Sequence, residues 1–248
     1  MSLPDYDMCH KSQIDSEVIQ SSFSMKYQDA ISLNNQGVRQ YEIGNYEEAC
    51  SIFRESLETM QAYMATYNKG RKEQETSGRE SVAFLWSNNG PLHAEFQMSS
   101  PSPFNFIFRR ALVIVPELEH RNTVDVEVEC SAIIYNMSLS YHMSGFLFNC
   151  SSLLDKAKRF LEIVVALRRK RMTSSKLDAD CLFEAAIYNN LGWIHGEFCD
   201  FDLAEMCFYE VSARLGSWRE NCLVDKQDCE GFLENLIVDI HPNSAAAA

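Results

Sequence analysis

The sequence predicts an all-α domain of three helical hairpins and a capping helix, interrupted by a small β element. Three observations carry this expectation. Apolar residues recur at three- and four-residue steps over most of the chain, the period of a helix with one buried face. A helix-turn-helix rhythm runs through "AISLNNQGVRQYEIGNYEEACSIFRES", from Ala30, and returns in "AAIYNNLGWIHGEFCDFDLAEMCFYEV", residues 185–211. A looser version opens at Ser131 as "SAIIYNMSLSYHMSG". With 248 residues, 46% of them hydrophobic and 23% charged, the chain can bury one sizeable core and reads as one domain.

Residues 1–26 are polar and weakly patterned, and are expected to be a flexible N-terminal segment. The helical domain is expected over residues 27–240. Its first hairpin, about residues 30–62, has Ile31, Leu33, Gly37, Val38 and Tyr41 on one helix face. A turn follows at Gly44-Asn45, then a second stripe of Tyr46, Ala49, Ile52, Phe53, Leu57 and Met60. The third hairpin, about 185–216, repeats the plan with Tyr188, Leu191, Gly192 and His195, a turn at Cys199-Asp200, and Phe201, Ala204, Phe208 and Val211. Gly37 and Ala49 are twelve residues apart, as are Gly192 and Ala204. Small residues at matched places let two helices cross closely.

The middle hairpin, about 131–171, has Ser138 in place of the glycine, and nineteen residues separate Ser138 from Ala157. Gly145 is expected to end its first helix and "FLFNCSS" to lengthen its turn, before a stripe of Ala157, Phe160, Leu161, Val164 and Val165. A C-terminal cap is expected at about 224–240, with Phe232, Leu233, Leu236 and Ile237 at helical spacing, stopped by His241-Pro242 and followed by a tail over 241–248. Between hairpins one and two, an insertion of about 67–125 breaks the rhythm. There "VAFLW", "SNNGP" and "LHAEFQM" read as strand, turn and strand, and "FNFIFRRALVIV" as a third strand or a short helix.

The small residue (Gly37, Ser138, Gly192), the aromatic-rich first helix, the later alanine (Ala49, Ala157, Ala204) and the bulky residue four beyond it (Phe53, Leu161, Phe208) resemble the tetratricopeptide repeat. The resemblance covers roughly half of the chain and implies a short α-solenoid. The proline common after the second helix of that family is missing from all three units. First helices of such repeats line a concave groove. The resemblance therefore implies that Asn35, Asn136 and Asn190, each two residues before the small position, clasp the backbone of a bound peptide. A primary amide suits that task because it offers a donor and an acceptor together. Around this ladder, Asn34, Val38, Tyr41, Tyr135, Leu139, His142, Asn189 and Trp193 are the expected groove residues, with Trp193 an apolar anchor. Apart from His142 no cationic side chain falls there, which disfavours capture of a terminal carboxylate.

The expected function is non-catalytic: an adaptor or scaffold that binds an extended or helical segment of a protein partner. One alternative is a structural subunit whose groove is filled by its own insertion or N-terminal segment, and which binds through the insertion or the convex face. A remoter one is a metal-dependent enzyme at His195 and Cys199. Zinc, however, needs about four ligands in a tetrahedral set, and His195 stands where a packed side chain is expected, so no metal or cofactor is assigned. No phosphate-binding glycine loop, nucleophile elbow or HExxH motif occurs.

A formal net charge of −13 opposes contact with nucleic-acid phosphates and with anionic lipid. The nine cysteines lack CxxC spacing and read as reduced thiols of a cytoplasmic protein, with a nuclear location as the alternative. No apolar run reaches the length of a membrane span. "LRRKR", residues 167–171, places cations at a helix C-terminus, where they offset the helix dipole, or serves as an import patch. The oligomeric state is left open by the sequence.

Overall fold

The computed structural model describes residues 25–70, 84–87, 104–115, 126–169, 178–218 and 226–237. These are mostly helical. In chain order they form α1 (25–42), α2 (Tyr46–Gly70), β1 (Phe84–Trp86), β2 (Leu112–Ile114), α3 (Val126–Leu147), α4 (Ser151–Arg169), α5 (Asp178–Glu197), α6 (Phe201–Trp218) and α7 (Lys226–Ile237). Among them no helix is long and apolar enough to cross a membrane. The expected N-terminal segment up to residue 24 and the tail after residue 240 lie outside the described residues.

Three hairpins form, each closed by the same turn. Gly44, Asn149 and Cys199 adopt positive φ of 85°, 47° and 59°. The next residue's amide reaches back five places, from Asn45 to Gln40, Cys150 to Gly145 and Asp200 to His195, at 2.8–2.9 Å. This left-handed closure satisfies carbonyls that the ending helix leaves free. The residue after the turn starts the next helix: Ala49, Leu154 and Ala204 donate to the carbonyls of Asn45, Cys150 and Asp200.

The crossings behind the turns follow the small residues. A Cβ built on Gly37 would lie 2.6 Å from the Phe53 ring, and one on Gly192 2.9 Å from Phe208. Ser138 holds the third crossing by donating to the Ala157 carbonyl at 2.8 Å. The extra length of the middle hairpin is not in its turn, contrary to the sequence expectation. α3 continues nine residues past Ser138, where α1 and α5 continue five past their glycines, and α4 starts six residues before Ala157, where α2 and α6 start three before their alanines. Gly145 stays helical, because its missing side chain lets Leu154 approach to 2.9 Å of where a Cβ would stand. The hairpin is one turn longer, and its reversal is the same as the others.

The small β element exists, with a different pairing from the one expected. β1 pairs antiparallel with β2, Leu85 opposite Val113, and "LHAEFQM" lies outside the described residues. Residues 104–111 run extended into β2. α7 stands in the place of the expected cap, burying Phe232 and leaving Leu233 and Ile237 exposed. Arg168 of the basic stretch is buried, with its guanidinium 4.7 Å from the Phe183 ring centre and 3.8 Å from Glu184, which Arg214 also binds at 2.7 Å. Its role is internal packing, as cation and aromatic face combine when desolvated.

Candidate functional site

The asparagines singled out by the sequence all bind the backbone of one extended segment, residues 104–115 of the same chain. Asn35 accepts from the Ile114 amide at 3.0 Å and donates to its carbonyl at 2.8 Å. Asn136 does the same for Leu112, at 2.7 and 2.8 Å. Asn190 does it for Phe108, at 2.9 and 2.8 Å. Each amide side chain replaces one rung of a β-ladder, so the strand gains sheet-like hydrogen bonds from helices.

A fourth rung comes from α7 and was missed by sequence reasoning. Asn235 accepts from the Asn105 and Phe106 amides at 3.2 and 3.1 Å and donates to the Phe106 carbonyl at 2.7 Å. The rungs are also tied to one another across neighbouring helices. Asn136 donates to Asn34 at 2.9 Å, and both donate to the Leu112 carbonyl. In the same pattern Asn235 donates to Asn189 at 2.9 Å, and both donate to the Phe106 carbonyl. The four asparagine rungs thus come from α7, α5, α3 and α1 in turn, from Phe106 to Ile114.

The remaining sequence-predicted residues complete the cradle. Trp193 donates its indole N–H to the Phe104 carbonyl at 3.0 Å. The hydroxyls of Tyr41 and Tyr135 donate to the carbonyls of Arg109 and Arg110, at 2.9 and 3.3 Å. Both tyrosines are fully buried, and burial raises their pKa well above the ordinary value, keeping them as neutral donors. Val38 and Leu139 are buried in the same apolar cluster. His142 packs its ring 4.9 Å from Trp193, with both ring nitrogens unpaired among the described residues. Burial alone lowers its pKa to about 3, so it is a neutral packing residue at ordinary pH.

The strand's own side chains fill the space between the helices. Phe104, Phe108, Ala111, Leu112 and Ile114 are fully buried. Phe108 stacks on Phe232 of α7 at 5.3 Å and meets the edge of Trp86 from β1 at 5.1 Å. Burying Phe104, Phe108, Leu112 and Ile114 contributes on the order of 6–12 kcal/mol by apolar area. Arg110, between Arg109 and Ala111, reaches α7 instead, with Nε 2.9 Å from the buried Asp228 carboxylate. On the edge toward β1, the Ser87 amide donates to the Ala111 carbonyl, and the Ala111 amide to the Ser87 hydroxyl.

Around His195 the described contact is with Asp200. Nδ1 of His195 lies 3.5 Å from the Asp200 carboxylate across the α5–α6 turn. Burial lowers the pKa of His195, and Asp200 partly opposes that shift. Among the described residues no three histidine, cysteine or acidic side chains come together in a way that could hold a metal ion.

Comparisons with protein-family models, with curated proteins and with solved structures find no match for this chain.

Proposed function

We propose that this chain is a non-catalytic scaffold of the tetratricopeptide-like kind, a short α-solenoid whose groove is filled by its own residues 104–115 and whose protein partners bind on its outer surfaces. The observation that carries this reading is the asparagine ladder, in which Asn35, Asn136, Asn190 and Asn235 satisfy the strand's amides and carbonyls in pairs. A competing peptide would have to replace those bonds and the burial of Phe104, Phe108, Leu112 and Ile114 at once. The three matched hairpins, their small crossing residues and their shared turn support the repeat assignment.

The test is hydrogen exchange of the Phe108, Leu112 and Ile114 amides, free and in complex with partners captured from native lysate. Protection close to that of the helices in both states is the expected result. Loss of protection on binding would show instead that a partner's peptide displaces the strand and that the groove itself is the binding site.

A further inference from the structure

Four helices clasp the strand, and among the described residues only three of them have a second helix folded across them. Counting from the clasping asparagine gives a common register. Two places beyond it stand Gly37, Ser138, Gly192 and Ile237. The first three are covered by the second helix of their hairpin, through Phe53, Ala157 and Phe208. Ile237 is 78% exposed. Two places before the asparagine stand Leu33, Ile134, Tyr188 and Leu233. Ile134 and Tyr188 are buried and Leu33 half-buried, whereas Leu233 is 41% exposed. The faces of α7 toward the strand are filled by contrast: Gly231 stands so close to Phe106 that a Cβ would lie 2.1 Å from its ring.

We infer that α7 is the first helix of a fourth hairpin completed in trans: the Leu233–Ile237 stripe takes an amphipathic helix from a partner protein, with a small residue opposite Ile237 and Lys or Arg along its edge. The small residue follows from the crossings already in the molecule, where a glycine on one helix meets a phenylalanine on the other. Here the bulky side chain is on α7, so close approach needs the small one on the partner. The charge follows from Glu234, exposed between Leu233 and Asn235, and from the chain's net charge of −13. A second copy would set Glu234 against Glu234, whereas a basic helix is attracted to the same edge. Apolar anchors one turn apart on an exposed helix suit helix-on-helix recognition. The inference rests on the reading that the groove stays filled and partners bind outside it.

The test uses the full chain and a synthetic amphipathic helix of about 18 residues, with a leucine stripe, one central alanine and lysine flanks. Binding is followed by fluorescence anisotropy, together with hydrogen exchange of Phe108 and Leu112. The expected result is saturable binding that weakens at least tenfold in Ile237→Glu and in Leu233→Glu, and also when the probe's lysines become glutamates, with strand protection unchanged. Binding unaffected by both substitutions while the strand stays protected would overturn the α7 site and leave the scaffold reading intact. Lost strand protection would instead overturn the scaffold reading. Saturable self-association through α7, seen by sedimentation and abolished by Ile237→Glu, would replace the partner helix by a second copy. Finding the stripe protected in the free chain would show that this chain covers it itself. Circular dichroism of both variants confirms that they fold, as substitution at exposed positions predicts.

Discussion

α3 and α7 hold the same strand with the same side chain, yet they live in opposite surroundings. α3 is buried from Val126 to Gly145 at all but a few positions, flanked by α2, α4 and the strand. α7 buries Asp228, Gly231, Phe232 and Asn235 on its inner face and shows Leu233, Glu234 and Ile237 on its outer one. A hydrogen bond in the first setting has no water to fall back on, while one in the second has solvent within a side chain's reach. The same side chain therefore carries different energetic weight at the centre and at the end of the ladder.

The sharpest way to break that comparison is to remove each rung. Asn136→Ala strands the Leu112 amide in a dry interior and takes a donor from Asn34, and should cost about 3 kcal/mol. Asn235→Ala leaves the Phe106 carbonyl its bond from Asn189 and lets water reach the half-buried amides, and should cost about 1 kcal/mol. Urea unfolding of the two variants measures the difference. Equal costs would mean that position along the ladder does not matter.

The two ends of this contrast were unequally visible in the sequence. The hairpins of α1–α2 and α5–α6 could be read because glycine, aromatic and alanine recur at matched spacing, and Asn35 and Asn190 came with them. Asn136 was legible through Ser138, a small residue in the same place. Asn235 was not, because the position two beyond it holds Ile237, where every other unit has a small side chain. At that register position the described residues leave Ile237 exposed.

The strand was hidden for a different reason. In "FNFIFRRALVIV" the Arg109-Arg110 pair interrupts the apolar pattern, and only the structure shows that both carbonyls are met by tyrosine hydroxyls and that Arg110 pairs with Asp228. Its partners come from four helices, so no short-range spacing announces it. The added turn in the middle hairpin was misplaced for a related reason. A glycine and a run of small polar residues favour a loop locally, while the packing of Leu154 on Gly145 keeps the helix going.

Acid should weaken the centre first, which sharpens the comparison without altering a rung. His142 sits inside α3 with burial alone acting on it and a folded pKa of about 3, whereas α7 carries no histidine. A folded pKa below the unfolded one means that the unfolded chain takes up the proton first. The stabilising contribution is therefore full above about pH 6.5 and is lost as pH falls toward 3. From pH 7 to pH 5 the loss should be roughly 2 kcal/mol. His142→Leu should remove that part of the pH slope. The same slope in both proteins would show that other groups govern acid sensitivity.

The smallest effect is the most discriminating, because it compares one register position in two settings. Gly37→Ala drives a methyl group to within 2.6 Å of the Phe53 ring at a crossing with no room, and overpacking of that kind costs about 2 kcal/mol. Ile237→Ala removes far more side chain at the equivalent place on α7, yet Ile237 is mostly in solvent, so its cost should stay within about 0.5 kcal/mol. Adding one carbon at the closed crossing should thus hurt more than deleting three at the open one. Were Ile237→Ala to destabilise the free chain as much as Gly37→Ala, Ile237 would already be packed against something in solution, and the crossing on α7 would be closed from within.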